Sequence, residues 1–167
     1  MDFKKDKYIN LIEYILTKCS NKPNFGKTVL CSLLYFIDFN YYELYNELIT
    51  NETYIKSKKG IEPKHFSQIS QNLILKNQLY LKKQPYYNRI IHKYHLLIIP
   101  TIKFNKKELE IIDFSIKKLS NNNASSITRY AIKDPPINAA DFGDNINYKY
   151  VKSRNKVYSI KKNKNIY

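Results

Sequence analysis

The sequence predicts an α-rich α+β domain, with helices packed around a central hydrophobic helix and a small antiparallel β-hairpin laid on them. Three observations carry this. Residues 25–47, FGKTVLCSLLYFIDFNYYELYNE, form the longest near-continuous apolar run, with no Pro and a single Gly at its start. Residues 6–19 and the stretch after Asn105 repeat apolar side chains at the three- and four-residue steps of one helix face. Residues 78–100 change period: Leu79 and Leu81 alternate with Tyr80 and Lys82, and 94–99 is a compact apolar strand closed by Pro100.

In the central helix, Leu30, Leu33, Leu34, Ile37, Tyr41 and Leu44 share one face, and Val29, Phe36, Phe39, Tyr42 and Tyr45 cover most of the rest. A helix this apolar on nearly all sides must be surrounded by other elements. Its polar atoms thin to a line: Lys27, Tyr35, Asp38, Tyr42 and Asn46.

The other elements follow in order. Helix 6–19 has Asp6 as N-cap, a stripe of Tyr8, Leu11, Ile12, Ile15 and Leu16, and Lys7, Asn10, Glu13 and Lys18 toward water. Ser20-Asn21-Lys22-Pro23-Asn24 is a loop. Thr53-Tyr54-Ile55 reads as a short strand, and Lys56-Ser57-Lys58-Lys59-Gly60 as a basic turn with Gly60 free to take positive φ. Pro63 suits the first position of a helix reaching about Asn77, with Phe66, Ile69, Leu73 and Ile74 inward. Gln84-Pro85-Tyr86-Tyr87-Asn88 is the turn of the hairpin. Asn105-Lys106-Lys107-Glu108 is a capping box with Asn in the cap position, and Leu109, Ile112, Ile116 and Leu119 form that helix's inner face. A short helix at about 125–133 stops at Asp134-Pro135-Pro136. Asp141-Phe142-Gly143-Asp144 is a turn, and Ile146 with Tyr148 begins a last extended segment. From Lys149 onward there are seven basic residues and no acid. This organises the chain as one domain, 1–150, and a basic C-terminal tail, 151–167.

Composition bounds the function. At 167 residues, with 43% hydrophobic and 26% charged content, the chain has the make-up of one globular domain. Asp38 and Glu43 interrupt the central run, so nothing reaches the roughly 18 uncharged residues of a bilayer span. The start MDFKKDKY lacks the apolar region of a signal peptide, so a cytoplasmic location is expected. Cys19 and Cys31 read as buried reduced thiols. The net charge of +15 will attract anionic partners, yet Lys supplies 26 of the 29 basic residues. Lys, Asn, Ile and Tyr all have AT-rich codons, and base-edge recognition leans on Arg forks, of which there are few.

No catalytic residue, metal site or cofactor is expected. His92 and His95 lie three apart in a strand and point to opposite faces. The Gly26-Lys27-Thr28 triplet lacks the upstream Gly of a phosphate loop and any preceding strand. Asp38 is the residue that packing does not explain, since an unpartnered buried acid costs several kcal/mol. Either it bonds Tyr or Lys from a neighbouring element, or it is a recognition residue in a Tyr-lined groove with Tyr35 and Tyr42, the candidate partner-binding set. A second set, candidate contacts to an anionic partner, comprises Tyr86, Tyr87 and Arg89 on the hairpin and Lys152, Arg154 and Lys156 in the tail. Interleaved aromatic and basic residues can stack on single-stranded nucleic acid, or simply decorate an exposed hairpin.

Leu33-Leu34-Tyr35-Phe36-Ile37-Asp38-Phe39 is similar to an LLYFADF-type family core. Thr53-Tyr54, Gly60 and Pro63 follow it, where the family has a tighter Gly-Pro pair. Ser126, Asp134-Pro135-Pro136 and Gly143-Asp144-Asn145-Ile146 close the pattern. On these residues, over roughly 8–150, the chain resembles the Panacea domain, the SocA-like antitoxin family. It departs where Tyr130 or Ala131 stands in place of a common His, and Pro136-Ile137 in place of Pro-Trp, so roles of that His and Trp are not carried over. The resemblance implies an α-rich domain with a small β element that neutralises a cognate toxin by direct binding. It also implies a protease as a second partner, since one family member acts as an adaptor handing its toxin to one. The alternative is a basic nucleic-acid-binding accessory or regulatory protein that uses the net positive charge. Neither reading involves a membrane.

Overall fold

The computed structural model describes residues 2–161. Helix α2 (Lys27–Tyr45) runs through its middle, and every residue from 29 to 41 is buried. The helix touches α1, α4, α5, β2, β4 and the final 3-10 turn, which is why it has no wet side. Its start depends on Gly26: a Cβ there would sit 3.3 Å from both the His92 carbonyl oxygen and the Ile91 Cβ of β4. It ends at Asn46, whose left-handed backbone returns its N–H to the Tyr42 carbonyl.

Helix α1 (Lys5–Cys19) buries the stripe of Tyr8, Leu11, Ile12, Ile15 and Leu16. Two details differ from expectation. Lys4, not Asp6, is the N-cap, and Asp6 sits in the first turn, where an acid favours the helix dipole. Asn10 is buried rather than wet, because it bonds backbone. Its Nδ2 donates to the Thr101 carbonyl (2.7 Å) and its Oδ1 accepts from the Lys103 N–H (2.8 Å), fastening that loop onto α1.

After α2 comes a hairpin of β1 (Tyr54–Ser57) and β2 (Gly60–Pro63), turning at Gly60 with φ 119°. Pro63 therefore ends a strand, opposite Tyr54, instead of opening a helix. The Lys64 N–H continues the ladder to the Thr53 carbonyl, and α3 (Phe66–Leu75) begins only after that. Phe66, Ile69 and Leu73 are its buried face.

Strands β3 (Leu79–Tyr86) and β4 (Arg89–Leu96) form the predicted hairpin. They run further than expected toward the tip, where Pro85 pairs opposite Ile90 and Tyr86 opposite Arg89, leaving a two-residue turn at Tyr87-Asn88 with Tyr87 at φ 51°, and β4 ends at Leu96 rather than at Ile99. Such tight turns follow the twist of their strands and keep them paired to the tip. Helix α4 (Lys106–Leu119) carries the predicted capping box and buries Ile111, Ile112, Ser115 and Leu119, with Leu109 and Ile116 half-buried. Helix α5 (Ala124–Ala131) has a second box built on Asn123, and α6 (Pro135–Asn138) is a single turn after Asp134.

The last segment lies against β1, with the Ile146 N–H donating to the Tyr54 carbonyl at 2.7 Å, and then makes the 3-10 turn Tyr148–Ser153. The expected tail does not begin at 151. Val151, Arg154, Tyr158 and Ile160 are buried, because three apolar side chains and one ion-paired guanidinium tie this stretch into the core. The remainder of the predicted tail, 162–167, lies outside the described residues. The buried core runs through all of these elements as one cluster.

Candidate functional site

The polar line of α2 organises two buried clusters. In the first, Asp38 is 0% exposed. Its carboxylate accepts from the Thr50 N–H (3.1 Å), the Thr50 hydroxyl and the Tyr54 hydroxyl (2.6 Å). Burial pushes the Asp38 carboxyl up to about 6, against the pull of those three donors. Glu52, 1% exposed, closes the cluster. Its carboxylate lies 2.7 Å from His65 Nδ1, and its backbone carbonyl accepts from the Tyr148 hydroxyl at 2.8 Å. The His65 ring stacks on Phe3, centroids 4.0 Å apart.

The second cluster is ionic. Tyr35, one turn before Asp38, donates its hydroxyl to Asp134 Oδ2 at 2.8 Å. Arg154 grips the same carboxylate with two prongs, Nε to Oδ1 at 2.9 Å and Nη2 to Oδ2 at 2.6 Å. Its Nη1 reaches Asn40 Oδ1 (2.9 Å) and Glu43 Oε2 (3.0 Å), and Ser159 donates to the other Glu43 oxygen. The side chains of Arg154 and Asp134 are 0% exposed. Burial works against the guanidinium charge, but Asp134 beside it holds the Arg154 pKa above its ordinary value.

The groove expected along Tyr35, Asp38 and Tyr42 is therefore not an open one. β1, α6 and the C-terminal segment cover that side of α2, so Tyr35 and Asp38 bond inward and present no surface. Asp38 takes the first of its two sequence readings, bonding a Tyr from a neighbouring element. Tyr42 alone stays half-exposed, lining a shallow cavity of about 300 Å³ with Tyr41, Glu47 and Leu48 among others.

The anionic-contact set divides. Tyr86, Tyr87 and Arg89 come together at the hairpin tip, beside a cavity of about 290 Å³ shared with Asn24 and Asn123. Arg89 Nη1 donates to Ser125 Oγ at 3.0 Å, and the Tyr86 and Tyr87 rings meet edge to face. Lys152 and Lys156 are exposed on the C-terminal segment. Arg154 is not a surface contact, because it is consumed by the buried ion pairs.

Sequence reasoning missed Asp134, Glu43 and Glu52 as partners. One signal was available: Arg154 is one of only three Arg in a chain that otherwise uses Lys, and a two-pronged buried pair needs the Arg fork. Among the described residues no group of three His, Cys, Asp or Glu side chains could hold a metal ion, and no helix is long and apolar enough to cross a membrane. Cys19 and Cys31 are buried and unpaired with each other, and burial pushes the Cys31 thiol up to about 12.

The family model described as antitoxin SocA-like, Panacea domain, matches residues 30–136, from the first turn of α2 to Asp134-Pro135-Pro136. No curated protein and no solved structure matches the chain.

Proposed function

The chain belongs to the SocA-like antitoxin family, the Panacea domain, and on that premise we propose that it neutralises a cognate toxin by direct protein–protein contact. The observation that supports this reading is the match itself. It spans most of the central helix, both hairpins and the Asp134 turn. The role is one of binding rather than catalysis, exercised in the cytoplasm. Tyr35 and Asp38 serve it by fixing the fold, and Tyr42 is the member of that set with surface to offer.

The test is co-expression with the protein encoded by the neighbouring gene. Rescue of growth and a one-to-one complex that persists through a salt titration support the reading. Absence of a complex, together with retention on DNA lost steeply with log salt concentration, overturns it in favour of a nucleic-acid-binding protein.

A further inference from the structure

We propose that the outward face of the β3–β4 hairpin is the surface that docks the partner, and that the partner meets it with an acidic surface around an apolar centre. This rests on the toxin-binding reading above and says where, and by what chemistry, the contact is made.

The register assigns the faces. Residues directly opposite one another share a face, and successive pairs alternate. The face of Lys82/Lys93, Gln84/Ile91 and Tyr86/Arg89 turns to the body. There the Lys93 amine donates to the Lys22 carbonyl, Ile91 lies against Gly26, and Arg89 reaches Ser125. The opposite face is covered only at its near end, where Leu79 and Tyr94 are buried and Tyr94 packs edge-on to Phe66 of α3. Its far half, Leu81, Lys83, Pro85 and Ile90, is exposed. Ile90 is 68% exposed and Tyr87 at the tip 90%. An aliphatic surface left open on a rigid two-stranded support is the composition of a docking centre.

Charge selects the occupant. Residues 63–107 contain nine Lys or Arg and not one Asp or Glu. Lys83 stands on this face beside the apolar centre, Lys82 and Arg89 are exposed on the hairpin's other face, and the segment holds no acid to offset them, so an acidic partner is steered to the hairpin. A single-stranded nucleic acid fits less well. It needs a row of free aromatic faces, whereas Tyr94 is buried, Tyr80 is stacked on His95 and Tyr86 packs against Tyr87 on the other face, which leaves Tyr87 at the tip as the one open ring among these four. Leu81, Pro85 and Ile90 give a phosphate backbone nothing to bond. A second copy adding a strand along β3 is also disfavoured, because Lys82, Lys83 and Pro85 blunt that edge. Docking is by side chains onto the face.

The experiment measures affinity of the full chain for an inactive form of the toxin encoded by the neighbouring gene. The double variant Lys83→Glu with Ile90→Asp places acid on the outward face and is expected to bind about 30-fold or more weakly. Tyr87→Gly suits the positive-φ turn and is a second route to weaker binding that leaves the hairpin intact. Lys117→Glu with Lys133→Glu lowers the net charge at least as far on other elements and is expected to bind like wild type. If wild type itself fails to hold the toxin, both this surface and the toxin-binding reading fall. If wild type binds and the hairpin variants bind equally well, only the surface falls. It falls likewise if the Lys117/Lys133 control or Tyr42→Ala weakens binding as much. A dT oligonucleotide that competes with the toxin and is released by the hairpin variants overturns the choice of a protein partner.

Discussion

Arg154 and Asp134, twenty positions apart, form a two-pronged ion pair at 2.9 and 2.6 Å with both side chains fully buried. The pair joins the C-terminal segment to the start of α6, and Tyr35 and Glu43 tie it to α2. Removing the cation leaves two buried carboxylates with the Tyr35 and Ser159 hydroxyls, but no counter-charge from Arg154, against them. Arg154→Ala is therefore expected to cost about 3–5 kcal/mol. Arg154→Lys should recover little, since a point charge cannot span Asp134, Asn40 and Glu43 together. Urea unfolding of the three proteins checks this; a loss under about 1 kcal/mol would show that water reaches the cluster.

Truncation after Tyr150 should do more than any point change. It removes Arg154 together with the buried side chains of Val151, Tyr158 and Ile160. At roughly 1.5–3 kcal/mol for each apolar side chain, plus the broken ion pairs, the loss reaches the whole margin of a typical domain. The expected product lacks a cooperative thermal transition by circular dichroism. A truncated chain that melts like the full one would restore the boundary at 150 that charge alone indicated.

Asp38 predicts a pH dependence of definite sign. Burial raises its carboxyl from the ordinary 3.8 to about 6. Below pH 4 both folded and unfolded chains hold the proton. Between about 4 and 6 the unfolded chain releases it while the folded chain keeps it, so this group's contribution to stability falls as pH rises. Above 6 the full penalty is present, roughly 3 kcal/mol. Asp38→Asn lacks the titration, so its stability deficit relative to wild type should narrow between pH 4 and 7.5. Urea midpoints for both proteins at the two pH values test it, and a deficit that widens with pH reverses the assignment.

Much of this fold was readable because local signals and tertiary packing agree. The α2 run, the α1 stripe, the Asn105 box and the alternation at Leu79–Leu81 each name an element without knowledge of its neighbours. Pro63 misled because the same residue suits a helix start and a strand end, and only pairing across Gly60 decides between them. The polar line of α2 was visible, but its direction was not. Whether Tyr35 and Asp38 face a partner or the interior depends on the C-terminal segment lying over them. Its charge density reads as a basic tail open to an anionic partner, since a sequence does not show that Arg154 finds Asp134 and Glu43. The hairpin tip was legible for the opposite reason: Tyr86, Tyr87 and Arg89 are neighbours in the chain, so a short turn suffices to gather them.

The Asn105 box offers a prediction that separates capping from charge. Asn105 Oδ1 accepts the Glu108 N–H and Glu108 Oε2 accepts the Asn105 N–H, both at 2.9 Å. Glu108 also receives the Lys7 ammonium at 2.7 and 2.9 Å, which ties α4 to α1. Asn105→Ala removes one half of the box and should cost about 1 kcal/mol. Glu108→Gln keeps an oxygen for the cap but drops the ion pair. The Lys7 side chain is 33% exposed, so that loss should stay near 0.5–1 kcal/mol. Glu108→Ala loses both and should approach the sum. In a double-mutant cycle, Lys7→Met should couple to Glu108→Gln and leave Asn105→Ala additive. Coupling between Lys7 and Asn105 as large as that between Lys7 and Glu108 would mean that α1 and the cap act as one unit, and the α4 start could not then form independently of α1.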